Sequence, residues 1–520
     1  MPTTLGFKDI IDLPLWRMEA PVLATSGAGM CLANDMRNDA SRHPYIYMSR
    51  SATALDFFDP TTGDWGTLAS PALAGTFGAG AACVFHPSAG PRGTIAAGAS
   101  TTSVTLTTAL PASVGVNQLA NRGDGVGFRL RIVDSVAAAS GKSEEVIITA
   151  NTGGTTPVIT FTPALSFTPA TAATYEFLSG RIFLVSSGLL AAGAFKYYDV
   201  LTNSYSGNLS ITNLPATMST DSSMVALSEL YVPSDRSPST GMLAGGATSN
   251  ALNCIQATAA AGTTITGSGM PSTLATNEYQ GFQVRIVEDA TTPAAAGQRR
   301  RITSHTSGAT GVFTVATWTT TPSAVAKFVI EQDDDKLLMR STATTSVYTY
   351  NITANTWDTT TYGVAGNAVG AGCILVVPFG VPRDTTGNFR HSQIFCVRGG
   401  AGSAIDILDI ANGANGTWTN TIVYGNLAQT FTTGTCGAYE PATLTGRFLH
   451  INVNGTQRFA RFDLKNRILD AGSYLRYTQG AATVGGKMAT GLFVDGSTKL
   501  PFVFLLTNTQ TIFMSLAVVR

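Results

Sequence analysis

Along most of the chain, apolar and polar residues alternate with a period of two, in short runs bounded by Gly, Pro, Asn, Asp and Thr. That spacing predicts strands and turns rather than helices, because successive side chains of a strand point to opposite faces. Within the alternation a motif recurs: an aromatic or apolar residue, then Asp or Asn, a turn-forming stretch, and a second large residue seven positions on. It appears as FDPTTGDW (58–65), YDVLTNSY (198–205) and YNITANTW (350–357). FDLKNRIL (462–469) is a weaker copy and LDIANGANGTW (408–418) a longer one. Each predicts a hairpin, with Asn, Asp and Gly supplying the turn.

Upstream of the hairpins lie apolar strands, such as YIYMS from Tyr45, RIFLV from Arg181 and KLLMR from Lys336. Upstream again are strands of small residues, such as GAGMCLA from Gly27 and GAGCILVV from Gly370. Four strands per unit in about six units is the pattern of β-propeller blades, whose innermost strands converge on an axis that leaves little room for side chains. The expected fold is therefore all-β, a propeller with six blades favoured. The sixth unit reaches Arg520 after three strands, so residues 7–16 are expected to supply its outer strand and seal the ring.

Two long segments interrupt the repeat between the first and second strands of units two and three. They resemble each other: GFRLRIVD from Gly127 matches GFQVRIVE from Gly281, and PATAATYEFL from Pro169 matches PSAVAKFVIE from Pro322. Both predict small antiparallel modules of about five to seven strands, inserted on one face of the disc. They are expected to be hinged on the ring and ordered by partners, since insertions at loop positions carry binding surfaces. The division that follows is 1–93 (closing strand, first blade, start of the second), 94–179 (first module), 180–246 (rest of the second blade, start of the third), 247–332 (second module) and 333–520 (remaining blades).

The hairpins resemble the kelch repeat, whose signature FDPTTGDW and YNITANTW approach, although the diglycine of that repeat survives only at Gly399 and Gly400. The resemblance covers about half the chain and implies a fold, not a function. The low-charge, Thr/Ala/Gly-rich inserted modules and the opening LGFKDIIDLPLWR are similar to structural proteins of tailed bacteriophages. That similarity implies a neck, nozzle, collar, tail or capsid-decorating component of a virion.

Composition narrows the functional classes. Lys plus Arg equal Asp plus Glu at 32 each, so no net field attracts nucleic acid. With 44% hydrophobic residues the chain folds rather than remaining disordered. No export signal and no run of about 18 apolar residues stand out, which leads to the expectation of assembly in a host cytoplasm without a membrane span. The six cysteines contain no CxxC pair, so neither disulfides nor a zinc site is expected.

Candidate chemistry is sparse. Cys31, Cys83, Cys373 and Cys436 occupy equivalent innermost-strand positions and read as small buried apolar residues. Cys83 and His86 form a CxxH without a second ligand pair. Arg37, Arg92, Arg236, Arg383, Arg447 and Lys499 each follow an innermost strand, a possible rim of cations for a carboxylate-bearing or phosphate-bearing partner. The histidines (His43, His86, His305, His391 and His450) are scattered; Asp333, Asp334 and Asp335 read as a solvated linker, and the Arg122-Gly123-Asp124 triplet as chance. No HExxH, GxSxG or P-loop is present. The expectation is a non-enzymatic, homo-oligomeric virion protein with no catalytic, cofactor or metal residues. A glycan-binding propeller for host-surface recognition is the alternative, and a propeller glycosidase or oxidase, tested at Arg92, Arg236, Arg383 and Glu440, stands behind it.

Overall fold

The computed structural model describes residues 16–517 apart from 20, 24–30, 35–44, 51–53, 61, 70, 79, 87–88, 113, 122–126, 137–139, 187–190, 215–221, 228–253, 271, 273, 278, 332–334, 342–343, 359–366, 378–392, 401, 403, 411–415, 424–430, 440–447, 454–457, 465–467, 471–486, 496–497 and 507–512. The described residues form six four-stranded antiparallel sheets and one twelve-stranded sheet. No described helix is long and apolar enough to cross a membrane.

In chain order, sheet one runs Leu32–Asn34, Ile46–Ser49, Leu55–Asp59, Asp64–Thr67, and sheet two Ala82–His86, Arg181–Val185, Phe195–Asp199, Ser204–Tyr205. Sheet three runs Ser223–Ala226, Lys336–Arg340, Tyr348–Asn351, Thr356–Asp358, and sheet four Ile374–Val376, Gln393–Val397, Ala404–Asp409, Thr417–Val423. Sheet five runs Cys436–Tyr439, Phe448–Val453, Arg458–Asp463, Ile468–Asp470. Sheet six joins both ends of the chain: Lys487–Asp495, Thr498–Leu506 and Phe513–Ala517 are followed by Trp16–Met18. Trp16 pairs with Leu516 and Met18 with Met514. Of the segment expected to close the ring, residues 7–15 lie outside the described residues.

The first strands of the sheets neighbour one another cyclically. Ala82–His86 lies between Leu32–Asn34 and Ser223–Ala226; Ile374–Val376 lies between Ser223–Ala226 and Cys436–Tyr439; Lys487–Asp495 lies between Cys436–Tyr439 and Leu32–Asn34. This is a propeller-like ring. Five of its six innermost strands are short, three to five residues each, and small side chains occupy the convergence in places, as at Ala82-Cys83. Between sheets two and three, Phe183, Phe195, Tyr350 and Trp357 form one apolar cluster. Burying each such side chain contributes about 1.5–3 kcal/mol.

The five hairpin motifs place their paired large residues opposite each other: Phe58 with Trp65, Tyr198 with Tyr205, Tyr350 with Trp357, Leu408 with Trp418 and Phe462 with Leu469. In three of them the fifth residue after the first aromatic sits in the left-handed region: Gly63 at φ 79°, Asn203 at 48° and Asn355 at 52°. Glycine and asparagine tolerate that conformation best. Where the motif opens with Tyr, its hydroxyl donates to that Asn: Tyr198 to Asn203 Oδ1 at 2.7 Å and Tyr350 to Asn355 Oδ1 at 2.8 Å. In the motif that opens with Phe58, no acceptor is needed and Gly63 takes the place.

The twelve-stranded sheet consists of the two inserted modules. The second is a closed six-stranded barrel of Ile255–Ala261, Thr264–Ser268, Gln283–Glu288, Arg299–His305, Thr310–Val315 and Lys327–Glu331, closed because Arg299–His305 pairs on both sides. The first has the equivalent six strands, Arg92–Thr94, Ser103–Thr105, Arg129–Asp134, Lys142–Asn151, Val158–Thr162 and Thr174–Leu178, with its end strands drawn together by an Ile95–Leu106 bridge. Each module has its own apolar core.

Equivalent polar residues hold both modules. Buried Asp134 accepts from Ser140 Oγ (2.7 Å) and Ala170 N–H (2.9 Å); buried Asp289 accepts from Ser323 Oγ and Ser323 N–H, both at 2.7 Å. The second module carries one extra residue before this aspartate. A bulge between Ile286 and Glu288 absorbs it and returns Asp289 to the position of Asp134.

Candidate functional site

The densest constellation of charged side chains lies where the two modules meet. Outward-facing positions on the first module's strands carry Arg129, Arg131, Glu145 and Glu176, with Arg131 opposite both Glu145 and Glu176. Equivalent positions on the second module carry Gln283, Arg285, Arg299 and Val329, with Arg285 opposite Arg299 and Val329. The duplication has thus reversed one charge: Arg299 stands where the first module has Glu145. Arg285 therefore lacks a directly opposite carboxylate in its own barrel. It turns instead to Glu331, at 2.9 Å, and to Glu145 of the first module, at 3.9 Å.

Glu176 gathers three guanidinium groups, with Arg92 at 2.7 Å, Arg299 at 3.2 Å and Arg131 at 3.4 Å. Glu145 takes Arg129 at 2.6 Å and Arg131 at 2.8 Å. Burial alone would raise the Glu145 carboxyl, but Arg131, Arg129 and Arg285 outweigh it and hold the group at about 2. Arg285 Nη1 also donates to Ser143 Oγ across the junction at 3.1 Å. Backbone contacts reinforce the side chains: Lys142 pairs with Glu288, and Asp289 N–H donates to Gly141 O at 2.7 Å. Gly297 lies so close that an added Cβ would sit 2.5 Å from Val133 Cγ1.

These contacts correct the expectation of hinged modules. A shared sheet and a buried ion network fix the two barrels to each other, and both are tied to the ring. Arg92 Nη1 donates to Thr353 Oγ1, in the hairpin of sheet three, at 2.9 Å. Gly281 approaches Ile410, just after the third strand of sheet four, so closely that a Cβ there would lie 2.7 Å from the Ile410 carbonyl oxygen.

The cation rim does not emerge in the described residues. Arg92 is the first residue of a module strand, not a turn residue, and its charge is used on Glu176. The module consequently begins two residues before the expected 94. Lys499 lies within a strand, opposite Val494, rather than in a turn. Arg37, Arg236, Arg383 and Arg447 lie outside the described residues, as do Glu440, His43, His391, Asp333, Asp334 and the Arg122-Gly123-Asp124 triplet.

The cysteines pack as apolar side chains. Cys31 and Cys83 share the cluster between sheets one and two, Cys436 is buried in sheet five, and Cys373 Sγ lies 3.8 Å from Cys396 Sγ in sheet four. Arg340, fully buried, reaches across from sheet three: Nη1 donates to Cys396 Sγ at 3.3 Å, Nη2 donates to Asn367 O at 2.9 Å, and the guanidinium lies 4.9 Å from the Trp418 ring centre. His86 Nδ1 accepts the Ala89 N–H at 3.0 Å, which makes the CxxH histidine a turn acceptor, and burial pushes the Cys83 thiol well up. Asp335 accepts from Thr353 N–H (2.9 Å) and Oγ1 (2.6 Å), bracing the same hairpin that Arg92 grips.

No protein-family model matches the chain, and no curated protein does. Among solved structures it is similar to Sqt1 of Saccharomyces cerevisiae, with 8% identity, a TM-score of 0.29 and 98% of this chain aligned to 99% of that one. It is similar to an auxiliary nutrient binding protein from Bacteroides ovatus, with 10% identity, a TM-score of 0.21 and coverage of 83% and 84%. It is also similar to the GH74 enzyme of Niastella koreensis, with 11% identity, a TM-score of 0.20 and coverage of 93% and 82%.

Proposed function

We propose that the chain is a non-enzymatic structural component of a bacteriophage virion, a six-bladed kelch-like propeller that works through protein contacts in a homo-oligomeric neck, tail or capsid-surface assembly. The observation behind this reading is the use made of charge at the module junction. Arg92, Arg131, Arg285 and Arg299 are turned toward Glu145, Glu176 and Glu331 and bind the barrels to each other and to the ring. A catalytic site keeps groups free to meet a substrate, whereas these groups saturate one another and make a rigid body. Rigid, low-charge β surfaces suit permanent contacts with other virion proteins.

Electron microscopy of the parent particle tests the proposal. Several symmetric copies of a disc bearing a double-barrel lobe are expected at the portal, tail or capsid surface. A chain found only as a free monomer outside particles would contradict it.

A further inference from the structure

Five of the six contacts between neighbouring sheets are lined by continuous apolar clusters: sheets one and two, two and three, three and four, four and five, and six and one. Sheets five and six share no such cluster among the described residues. The face of sheet five turned away from sheet four carries Cys436, Phe448, His450, Asn452, Phe459, Arg461 and Asp463. In sheet six, Ala489, Phe504 and Leu506 pack on sheet one. By alternation, buried Met488, Val503 and Leu505 face sheet five. A polar face is therefore buried against an apolar one.

His450 is the weak point of that contact. It is buried, stacked on Phe459 with ring centres 5.6 Å apart, and among the described residues neither of its ring nitrogens has a hydrogen-bond partner. Its direct cross-strand neighbour is Arg461, whose guanidinium lies 4.1 Å from the Phe448 ring centre. The Cys436 thiol is on the adjoining strand, opposite Asn452. The carboxylates on this face among the described residues are Asp463, opposite Phe448, and Asp470, opposite Arg461 on the outer strand. The facing residues of sheet six nearest the first strand, Met488, Val503 and Leu505, carry no charge, and the charged register position on that face is Lys499, opposite Val494.

We propose that this contact is an acid-labile seam: proton uptake at His450 opens the ring between sheets five and six. A neutral imidazole tolerates stacking on Phe459. An imidazolium would be a second cation beside Arg461, with no acceptor at either nitrogen among the described residues, and burying an uncompensated charge is costly.

Burial, with Arg461 adding to it, holds the imidazole down to about 3, against the ordinary 6.5. A histidine depressed in the folded state binds its proton more readily when released. The folded form is therefore at full strength above about pH 6.5 and weakens as pH falls toward 3. At pH 4.5 the folding constant drops about 100-fold from this group alone.

Hydrogen exchange on the full chain, corrected for intrinsic rates, tests the seam. Between pH 7 and pH 4.5, amides of Phe448–Val453 and Thr498–Leu506 should lose about 100-fold more protection than those of sheets two and three. In His450→Phe, which keeps the stacked ring without the proton site, that excess should vanish. Persistence of the excess in His450→Phe, or its absence in the natural sequence, overturns the proposal. Should His450→Phe not fold, NMR titration of the natural chain replaces it. An imidazole that stays neutral to pH 4.5 while the ring is closed supports the seam, and one that titrates near 6.5 in an intact ring refutes it.

Discussion

Asn151 and His305 perform the same task in the two modules. Asn151 Oδ1 accepts the Leu119 N–H at 2.9 Å, and His305 Nε2 accepts the Tyr279 N–H at 2.8 Å, each stabilising a turn opened by an asparagine in the left-handed region, Asn117 and Asn277. His305 Nδ1 in turn donates to Thr306 O at 2.9 Å, which fixes the tautomer. Replacement by the first module's residue, His305→Asn, should cost less than about 1 kcal/mol. His305→Leu, which orphans a buried N–H, should cost about 1–3 kcal/mol. Burial lowers this imidazole below its ordinary value, so the natural chain should lose stability as pH falls below about 6.5, and His305→Asn should lose that share of the dependence. Urea denaturation across pH measures both.

Glu176 is the residue on which the double barrel converges. Glu176→Ala leaves Arg131 buried with half its partners gone, and should destabilise the modules by about 3 kcal/mol, the low end for a broken buried pair because Arg92 and Arg299 are partly solvated. A separate unfolding transition for the second module is expected. Lys327→Ala, which removes a largely exposed pair with Glu288, should cost less than about 1 kcal/mol. Calorimetry distinguishes the two variants.

Asn355 combines three roles: it holds φ at 52°, accepts the Tyr350 hydroxyl, and accepts the Ser210 N–H from the segment that follows sheet two, at 2.8 Å. Asn355→Gly keeps the backbone freedom and loses two hydrogen bonds, for about 1–2 kcal/mol. Asn355→Ala adds strain at positive φ and should cost about 1 kcal/mol more. Equal losses in thermal denaturation would remove the conformational part of this explanation.

The ring was legible in the sequence because it is repetitive. Phe58 and Trp65, or Tyr350 and Trp357, are close in the chain, so turn chemistry and alternation suffice to pair them. The modules were legible as a duplication for the same reason. The junction was not, because Glu145 and Glu176 meet Arg285 and Arg299 only through the tertiary fold, and charges at alternate strand positions read as an ordinary solvated face. One signal was available: aligning the two modules puts Glu145 and Arg299 at the same place with opposite sign, the mark of faces that complement each other. Arg92 was misread as a rim cation because a strand start and a turn look alike beside Pro91 and Gly93. His450 left no local trace, since only register reveals Arg461 opposite it.

Closure of the ring by opposite chain ends is the claim on which the rest stands, and a cross-strand link tests it most directly. Arg17 and Ser515 are register partners between Trp16–Met18 and Phe513–Ala517. In an Arg17→Cys/Ser515→Cys double variant, mild oxidation should join the two peptides within one chain, with an intramolecular disulfide found by mass spectrometry and a raised unfolding temperature, because closing so long a loop restricts the unfolded chain. Free thiols, or links formed only between chains, would contradict the closed ring.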